Sequence, residues 1–119
     1  PPPLETPEDW VILYHGVRRT ASGSIYRLGF ALLELENPAN VLRRSDGWVF
    51  GPEASYERKG DVADVVFPCG WILDEPAGRL RIYYGGADSC ICLATASLNE
   101  ILSHLLNSPK PEDNNINCL

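Results

Sequence analysis

Trp10-Val-Ile-Leu-Tyr-His15-Gly16 is the first of three segments that decide the fold of this chain. The other two are Ser24-Ile-Tyr26-Arg-Leu-Gly29 and Leu80-Arg-Ile-Tyr-Tyr-Gly-Gly-Ala-Asp88-Ser89. Each is an apolar run rich in β-branched and aromatic residues next to glycine, which is typical of a strand in a packed sheet. Buried strands do not ordinarily carry polar side chains at such positions. His15, Tyr26 and Asp88 are therefore candidates for one shared pocket.

Strand-like segments continue through most of the chain up to residue 97, and turns rich in Gly, Pro, Asn and Asp separate them. Many short strands at regular spacing predict an all-β fold, which can be a sandwich, a barrel or a set of propeller blades. The predicted strands cover residues 10–15, 25–35, 48–50, 62–67, 71–73, 80–84 and 90–96.

The two ends of the chain differ from this sheet region. Residues 1–9 are rich in proline, which removes hydrogen-bond donors, and are predicted to be a connector without regular structure. One helix is predicted at 98–106, because Ser97 and Glu100 have the spacing of a capping box and leucines and Ile101 follow at helical spacing. Residues 10–97 form the sheet domain, and the polar residues 107–119 are predicted to be a flexible tail.

Composition excludes several classes of partner. The chain has 119 residues, enough for one domain, and a net charge of −6. An acidic chain lacks the general attraction to phosphate backbones, so we expect no nucleic acid partner. No apolar stretch approaches the roughly 20 residues that span a bilayer, and no secretion signal is visible, so we expect no membrane partner and a cytoplasmic protein.

The chain has four cysteines, and we expect buried reduced thiols rather than metal ligands or disulfides. Cys90 and Cys92 lie two residues apart on a predicted strand, so their side chains share one face. Paired cysteines of structural zinc sites are usually separated by two to four residues. The other two are Cys69 and Cys118. No metal or organic cofactor is expected.

Each candidate site residue also has an ordinary structural interpretation. His15 can bond a backbone carbonyl, Tyr26 can be a packing group, and Asp88 can bond its own turn. Asp64 precedes another apolar run and can face a cleft, lie in a solvated turn, or pair with Arg79 or Arg81. Nucleophile elbows, phosphate-binding loops with lysine and zinc-protease helices are absent from the sequence.

Taken in order, five segments resemble the C-terminal part of glycoside hydrolase family 130, the β-mannoside phosphorylases and related mannosidases. The resemblance extends to about Leu106. The segments are Glu5-Thr6 leading to Trp10-Val-Ile-Leu-Tyr-His-Gly-Val17, Tyr26-Arg-Leu-Gly-Phe-Ala-Leu-Leu-Glu-Leu-Glu-Asn-Pro38, Val65-Val-Phe-Pro-Cys-Gly70, Arg81-Ile-Tyr-Tyr-Gly-Gly-Ala-Asp-Ser89 and Leu93-Ala94 with Ser97-Leu98.

The resemblance implies a five-bladed β-propeller, of which this chain would supply the last blades, about two of them. It also implies a reaction in which inorganic phosphate is the co-substrate and attacks a β-mannoside to give α-mannose 1-phosphate. By position, His15 and Tyr26 correspond to phosphate-binding residues, and Asp88 corresponds to a carboxylate that binds the sugar. The expected partner is a β-mannoside or another small glycan.

The family's general acid and its phosphate-binding arginines belong to earlier blades, and no residue here can be assumed to replace them. We therefore expect the chain alone to be inactive or nearly so. Blades without their neighbours would expose edge strands, so we also expect a homo-oligomer that forms through these edges. The alternative function is a non-catalytic module for carbohydrate binding or assembly.

Overall fold

The computed structural model describes residues 1–111, which form seven strands and two helices. In chain order the elements are β1 (Leu4–Glu5), β2 (Asp9–Thr20), β3 (Gly23–Glu34), β4 (Val41–Arg44), α1 (Ser55–Arg58), β5 (Val66–Asp74), β6 (Arg79–Gly86), β7 (Cys90–Ser97) and α2 (Leu98–Leu106). The prediction of an all-β fold with a C-terminal helix is confirmed in this coarse form.

The strands form two antiparallel sheets. Sheet A has the order β1-β2-β3-β4, and sheet B has the order β5-β6-β7. Each strand therefore pairs with its neighbour in sequence, which needs only short connections. The longest pairing joins β2 and β3, whose register runs from Asp9 opposite Glu34 to Thr20 opposite Gly23.

The core lies between the two sheets. Alternate residues of β2, including Val11 and Leu13, point toward sheet B. Leu80 and Ile82 of β6 meet them, and Leu105 of α2 joins the same cluster. The largest side chains that are less than 2% exposed are Leu80, Leu105, Val11 and Val66.

Helix α2 confirms the prediction from its cap and apolar stripe. The Ser97 hydroxyl accepts a hydrogen bond from the Glu100 amide at 3.4 Å, and Ile101 and Leu105 are buried. Leu106 is 56% exposed, so the stripe is narrower than predicted. Of the predicted tail, residues 112–119 lie outside the described part. No helix within residues 1–111 has the length and hydropathy to cross a bilayer.

Several predicted strands are wrong in their bounds: β2 runs to Thr20 and not to residue 15, and three others differ more. Residues 48–50 form no strand, because their backbone makes only an isolated bridge to β3 at Leu28. Residues 62–67 and 71–73 were predicted as two strands, but β5 is one strand in which the pairing with β6 shifts between Pro68 and Gly70. This β-bulge explains why the apolar pattern changes phase inside a single strand.

Three short elements are not predicted by the sequence, and β4 (Val41–Arg44) is one of them. In the proline-rich start, Leu4 pairs with Val11 to form β1, and the Thr6 hydroxyl donates to the Asp9 carbonyl at 2.6 Å. Helix α1 has only 4 residues. A helix this short has no apolar period, so its stability has to come from tertiary contacts.

Candidate substrate-binding site

His15 lies on β2, on the same strand face as the core residues Val11 and Leu13, but past the edge of the core. Its side chain is exposed. The imidazole packs against the Phe67 ring at a centroid distance of 4.5 Å, and the Tyr26 ring is 6.0 Å away. His15 therefore takes part in a small aromatic cluster and is accessible to a ligand.

Tyr26 lies on β3, directly opposite Val17, and is half-buried. Its backbone amide donates to the Asp64 carbonyl at 3.1 Å, and Tyr26 forms a parallel bridge with Val65. The segment 64–65 therefore holds the backbone of Tyr26 on the side away from β2. The register and this bridge together fix where the phenol leaves the sheet.

Asp88 lies in the turn between β6 and β7 and is exposed. The Ser89 amide donates to the Gly86 carbonyl at 3.0 Å, and the φ angles of Ala87 and Asp88 are 45° and 54°. Two central residues with positive φ define a type I′ turn, in which Asn and Gly are preferred. The Asp88 carboxylate is thus held at the tip of a tight hairpin.

The structure brings two of the three predicted site residues together. His15 and Tyr26 share the aromatic cluster, whereas no hydrogen bond or aromatic contact within residues 1–111 joins the Asp88 side chain to them. A backbone connection does exist. The Ala87 amide donates to the Val65 carbonyl at 2.9 Å, next to the carbonyl of Asp64 that accepts from Tyr26. One segment therefore lies between β3 and the Asp88 turn.

Phe67 is a member of the cluster that the sequence did not indicate. It is 43% exposed and alternates along β5 with the buried residues Val66 and Pro68. This alternation could have predicted an outward-facing ring. It could not have predicted contact with His15, because that contact depends on how sheet B docks on sheet A.

A buried carboxylate next to the core was also missed. Glu57 of α1 is 3% exposed and accepts a hydrogen bond of 2.5 Å from the Tyr84 hydroxyl. It also accepts from the amides of Glu53 and Ala54, both at 2.8 Å. The Val65 amide donates to the Glu57 carbonyl at 3.2 Å, so this glutamate anchors the segment that borders Tyr26.

The hydrogen bonds decide the charge state of this pair. Burial alone would raise the pKa of Glu57, but the bonds from Tyr84 and from the two amides hold this pKa below its usual value. Burial raises the pKa of Tyr84, and the bond to Glu57 raises it further. The pair is therefore an ionised carboxylate that accepts from a neutral phenol. The contacts of Glu57 and Tyr84 therefore have a structural role.

The further acidic candidate, Asp64, is held in an ion pair. Asp64 has a left-handed φ of 57° and lies 3.8 Å from Nε of Arg58, so the pairing considered with Arg79 or Arg81 is wrong. Arg81 instead donates to Asp74 at 2.6 Å. Neither carboxylate lies in the cluster of His15 and Tyr26.

The prediction of buried thiols is wrong for the three described cysteines. Cys69 and Cys90 are exposed and Cys92 is half-buried, and all three are free. The sulfurs of Cys90 and Cys92 are 3.6 Å apart on one face of β7, as the spacing predicted. Burial, and then the contact with Cys90, raise the pKa of Cys92. Cys118 lies outside the described residues, in which no group of three metal-ligating side chains occurs.

Comparison with known proteins places this chain among carbohydrate-active enzymes. A family model described as beta-1,4-mannooligosaccharide phosphorylase matches residues 1–107. The chain belongs to this family, glycoside hydrolase family 130, and the resemblance to its C-terminal part is confirmed.

Characterised relatives agree with this assignment. A beta-1,4-mannooligosaccharide phosphorylase of Ruminococcus albus is 35% identical over 105 residues, which are 88% of this chain and 31% of that protein. A beta-1,2-mannobiose phosphorylase of Listeria innocua is 40% identical over 103 residues, which are 87% of this chain and 28% of that protein. The chain thus spans less than a third of the length of these relatives.

Solved structures give the same result. The Listeria innocua enzyme in complex with beta-1,2-mannobiose matches with a TM-score of 0.78 over 87% of this chain and 28% of that chain. A second structure also matches, with a TM-score of 0.71 at 31% identity. Its description is that the GH130 family of mannoside phosphorylases contains glycoside hydrolases that target beta-1,2 mannosidic linkages in Candida mannan. The match covers 83% of this chain and 29% of that chain.

Proposed function

We propose that this chain is the C-terminal portion of an enzyme that cleaves β-mannosides with inorganic phosphate. The observation that carries this proposal is the pairing of His15 with Tyr26, with ring centroids 6.0 Å apart at the open end of the β2–β3 ladder. Support comes from the 40% identity to a beta-1,2-mannobiose phosphorylase. The related activity in this family is hydrolysis, in which water takes the place of phosphate, as in the mannosidases.

In this proposal the two sheets are the last blades of a five-bladed β-propeller. The support is their sequential antiparallel strand order, their face-to-face packing around Leu80 and Val11, and the TM-score of 0.78 to a chain of which they match 28%. The site would then lie where His15 and Tyr26 meet the groups supplied by the earlier blades.

Each residue has a role that suits its chemistry. The imidazole of His15 and the hydroxyl of Tyr26 donate hydrogen bonds to phosphate oxygens, and bonds to an ionised acceptor are about twice as strong as neutral ones. The carboxylate of Asp88 accepts hydrogen bonds from sugar hydroxyls. Phe67 supports the His15 ring from one side and so restricts its rotation.

The reaction also needs a group that we do not assign to this chain. A phosphate oxygen forms a bond to the anomeric carbon while the bond to the leaving oxygen breaks, and that oxygen must receive a proton. The general acid of the family belongs to the earlier blades. Because a general acid contributes on the order of 10²- to 10⁴-fold to the rate, we expect the chain alone to be inactive or nearly so.

A chimera tests this function directly. The part of the Listeria innocua phosphorylase that matches this chain, 28% of its length, is replaced by this chain. We expect the chimera to release mannose 1-phosphate from beta-1,2-mannobiose and phosphate. In that background His15→Ala, Tyr26→Phe and Asp88→Asn should each lower kcat/KM, with His15→Ala and Tyr26→Phe raising the KM for phosphate and Asp88→Asn raising the KM for the sugar.

Matched variants control for the loss of a side chain. His104→Ala removes an exposed histidine from α2, and Asp46→Asn neutralises an exposed aspartate in a turn. Both should leave the chimera's kinetics unchanged. A soluble, folded chimera that produces neither mannose 1-phosphate nor mannose would contradict the proposed function.

The alternative, a non-catalytic carbohydrate-binding or assembly module, is favoured by the exposed apolar face of sheet B. Ile91 is 81% exposed and Leu93 is 53% exposed on the edge strand β7. Calorimetric titration of the chain with phosphate and mannose separates the two functions. Binding that His15→Ala and Asp88→Asn weaken, together with an inactive chimera, would favour the module.

The same exposed face supports a homo-oligomer. Apolar side chains on an unpaired edge strand promote association with another chain. We expect light scattering to show concentration-dependent oligomers that Ile91→Lys shifts toward the monomer. A stable monomer at high concentration would contradict this association.

A further inference from the structure

The hairpin turn between β6 and β7 is held by a loop that follows α1. This loop, residues 59–62, is named the clamp loop. The Asp61 amide donates to the Ser89 hydroxyl at 2.8 Å, and the Val62 amide donates to the Ala87 carbonyl at 3.1 Å. Two backbone donors of the clamp loop therefore bind the residues on either side of the proposed sugar-binding carboxylate.

Gly60 brings the clamp loop into close contact with this turn. A Cβ at Gly60 would lie 2.5 Å from the Ala87 carbonyl oxygen and 2.8 Å from the Ala87 methyl carbon, and it would also overlap the Ser89 hydroxyl. Such contacts are shorter than real Cβ atoms make, and a backbone carbonyl cannot swing aside as the end of a long side chain can. The φ angle of Gly60 lies outside the left-handed region, so space and not backbone conformation requires glycine here.

The Ser89 hydroxyl joins the clamp loop to the turn as both acceptor and donor. It accepts from the Asp61 amide and donates to the Ala87 carbonyl at 3.0 Å. The same carbonyl accepts from the Val62 amide, so it receives two hydrogen bonds. Because the bonds are linked, the loop and the turn cannot shift separately without breaking one of them.

The backbone of the turn needs such support. Ala87 and Asp88 have left-handed φ angles, which cost free energy in any residue other than glycine. Ala87 is nevertheless 0% exposed, and its methyl group faces Gly60. Burial of this methyl group under the clamp loop offsets part of the cost, and a conformation of this kind persists only where its surroundings fix it.

The clamp loop is itself fixed at both ends. The Lys59 amide donates to the Ser55 carbonyl at 2.9 Å where α1 ends. A little further along, the Val65 amide donates to the Glu57 carbonyl at 3.2 Å, and the Val65 carbonyl accepts from the Ala87 amide at 2.9 Å. The chain itself therefore supplies every contact of this clamp.

We propose that the clamp loop sets the position of the Asp88 carboxylate, with Gly60 and Ser89 as positioning residues for sugar binding. The inference rests on the proposed function, in which Asp88 accepts hydrogen bonds from sugar hydroxyls. Such bonds need a defined distance and angle, so a turn that can shift binds the sugar less tightly. Gly60 and Ser89 act on the sugar only through the backbone that carries Asp88.

Amide NMR spectra and hydrogen exchange of the 119-residue chain test the clamp without any enzymatic activity. Gly60→Ala should shift the amide signals of residues 87–89. It should also speed the exchange of the Asp61 and Val62 amides about tenfold, because their acceptors move away. Gly70→Ala is the matched control, since a Cβ at Gly70 meets no atom within 4 Å, and it should do neither.

Ser89→Ala is a second test, which removes a hydroxyl without adding bulk. It should speed the exchange of the Asp61 amide but not that of the Val62 amide, which donates to a backbone carbonyl. Ser89→Thr keeps the hydroxyl and should behave like the unaltered chain. Ser103→Ala, which removes an exposed serine hydroxyl from α2, should have no effect on either amide.

Kinetics of the chimera connect the clamp to sugar binding. Gly60→Ala should raise the KM for beta-1,2-mannobiose about tenfold, and Ser89→Ala should raise it less. The KM for phosphate should stay unchanged, because Asp64 and not the clamp loop contacts Tyr26. In an Asp88→Asn background Gly60→Ala should add little, since it acts only through that carboxylate, whereas a general loss of stability would add in full.

Two results would overturn the proposal. The first is unchanged amide signals at residues 87–89 in Gly60→Ala, which would show that the clamp loop does not hold the turn. The second is an active chimera in which Gly60→Ala leaves the KM for the sugar unchanged. An inactive unaltered chimera would instead contradict the proposed function, and the spectra of the chain would still decide whether the clamp loop positions Asp88.

Discussion

The inner face of the β2–β3 ladder has two halves with opposite surroundings. In the closed half, Val11 and Leu13 are 0% and 5% exposed, because sheet B and α2 cover them. In the open half, which continues toward the β2–β3 turn, Val17 is 48% exposed and His15 is also exposed. Both halves belong to the same two strands in one uninterrupted register.

Secondary structure therefore does not separate the core from the site. The separation depends on how far sheet B extends over sheet A. Burial in the closed half fixes the two strands. The open half is a continuation of these strands, so its backbone geometry is fixed even though its side chains are not apolar. A binding residue on a rigid strand is positioned more accurately than one on a free loop.

The largest expected difference between the halves is in packing. Leu13→Ala should lower the free energy of unfolding by about 2–5 kcal/mol, because it leaves a cavity between the sheets. Val17→Ala, four residues along the same face, should cost less than about 1 kcal/mol. Urea unfolding of both variants measures this contrast. Equal losses would show that the open half is also covered, for example by a second copy of the chain.

The segment that borders Tyr26 in the open half is anchored by Glu57, which accepts a hydrogen bond from Tyr84. Tyr84→Phe removes one donor from a buried carboxylate and should cost about 1–3 kcal/mol. Tyr56→Phe is the matched control, since Tyr56 is adjacent to Glu57 and 51% exposed, and it should change the unfolding free energy very little. Similar losses in the two variants would mean that the buried bond contributes no more than a surface hydroxyl.

The same carboxylate predicts a dependence of stability on pH. The folded-state pKa of Glu57 lies below its usual value, so the unfolded chain binds a proton more readily than the folded one. Its contribution is thus complete above the ordinary glutamate pKa of about 4.3 and is lost as the pH falls toward the lowered folded value. Unfolding free energies measured between about pH 6 and pH 3 should show this loss.

Glu57→Gln isolates this contribution from those of the other carboxylates. Its stability should fall less steeply with acid than that of the unaltered chain, while Glu53→Gln, at an exposed neighbouring position, should behave like the unaltered chain. Parallel curves for the unaltered chain and Glu57→Gln would show that the carboxylate is not held in its ionised form.

The smallest effect on stability is expected in the open half itself. His15→Ala loses the ring contacts with Phe67 and Tyr26 and should cost no more than about 1 kcal/mol, although it should impair phosphate binding. Thermal unfolding of His15→Ala, with His104→Ala as the control, measures this cost. A loss as large as that of Leu13→Ala would assign His15 to the core and remove it from the site.

The sequence predicts those parts of the fold in which local pattern and tertiary contacts agree. The alternation in β2, β3, β6 and β7 is long enough to be visible, and α2 has a cap and an apolar stripe. Helix α1 was missed because a buried glutamate holds it, and the pattern of β5 is broken by its bulge. Both features depend on neighbours that are distant in sequence.

The site was predictable only as a set of separate residues. Polar side chains beside strand glycines drew attention to His15, Tyr26 and Asp88, and the register of β2 with β3 brings the first two together. The contact of His15 with Phe67 requires the docking of sheet B on sheet A. No local pattern contains that information.

The turn that carries Asp88 has a consequence for directed evolution of this protein. Ala87 and Asp88 both adopt left-handed backbone angles that glycine adopts without penalty, and the cost for other residues is roughly 1–2 kcal/mol each. Libraries randomised at position 88 and screened for thermal resistance alone should therefore converge on glycine or asparagine. Libraries screened for mannoside cleavage in the chimera should return aspartate, so the two screens would separate the demands of folding from those of catalysis at a single codon.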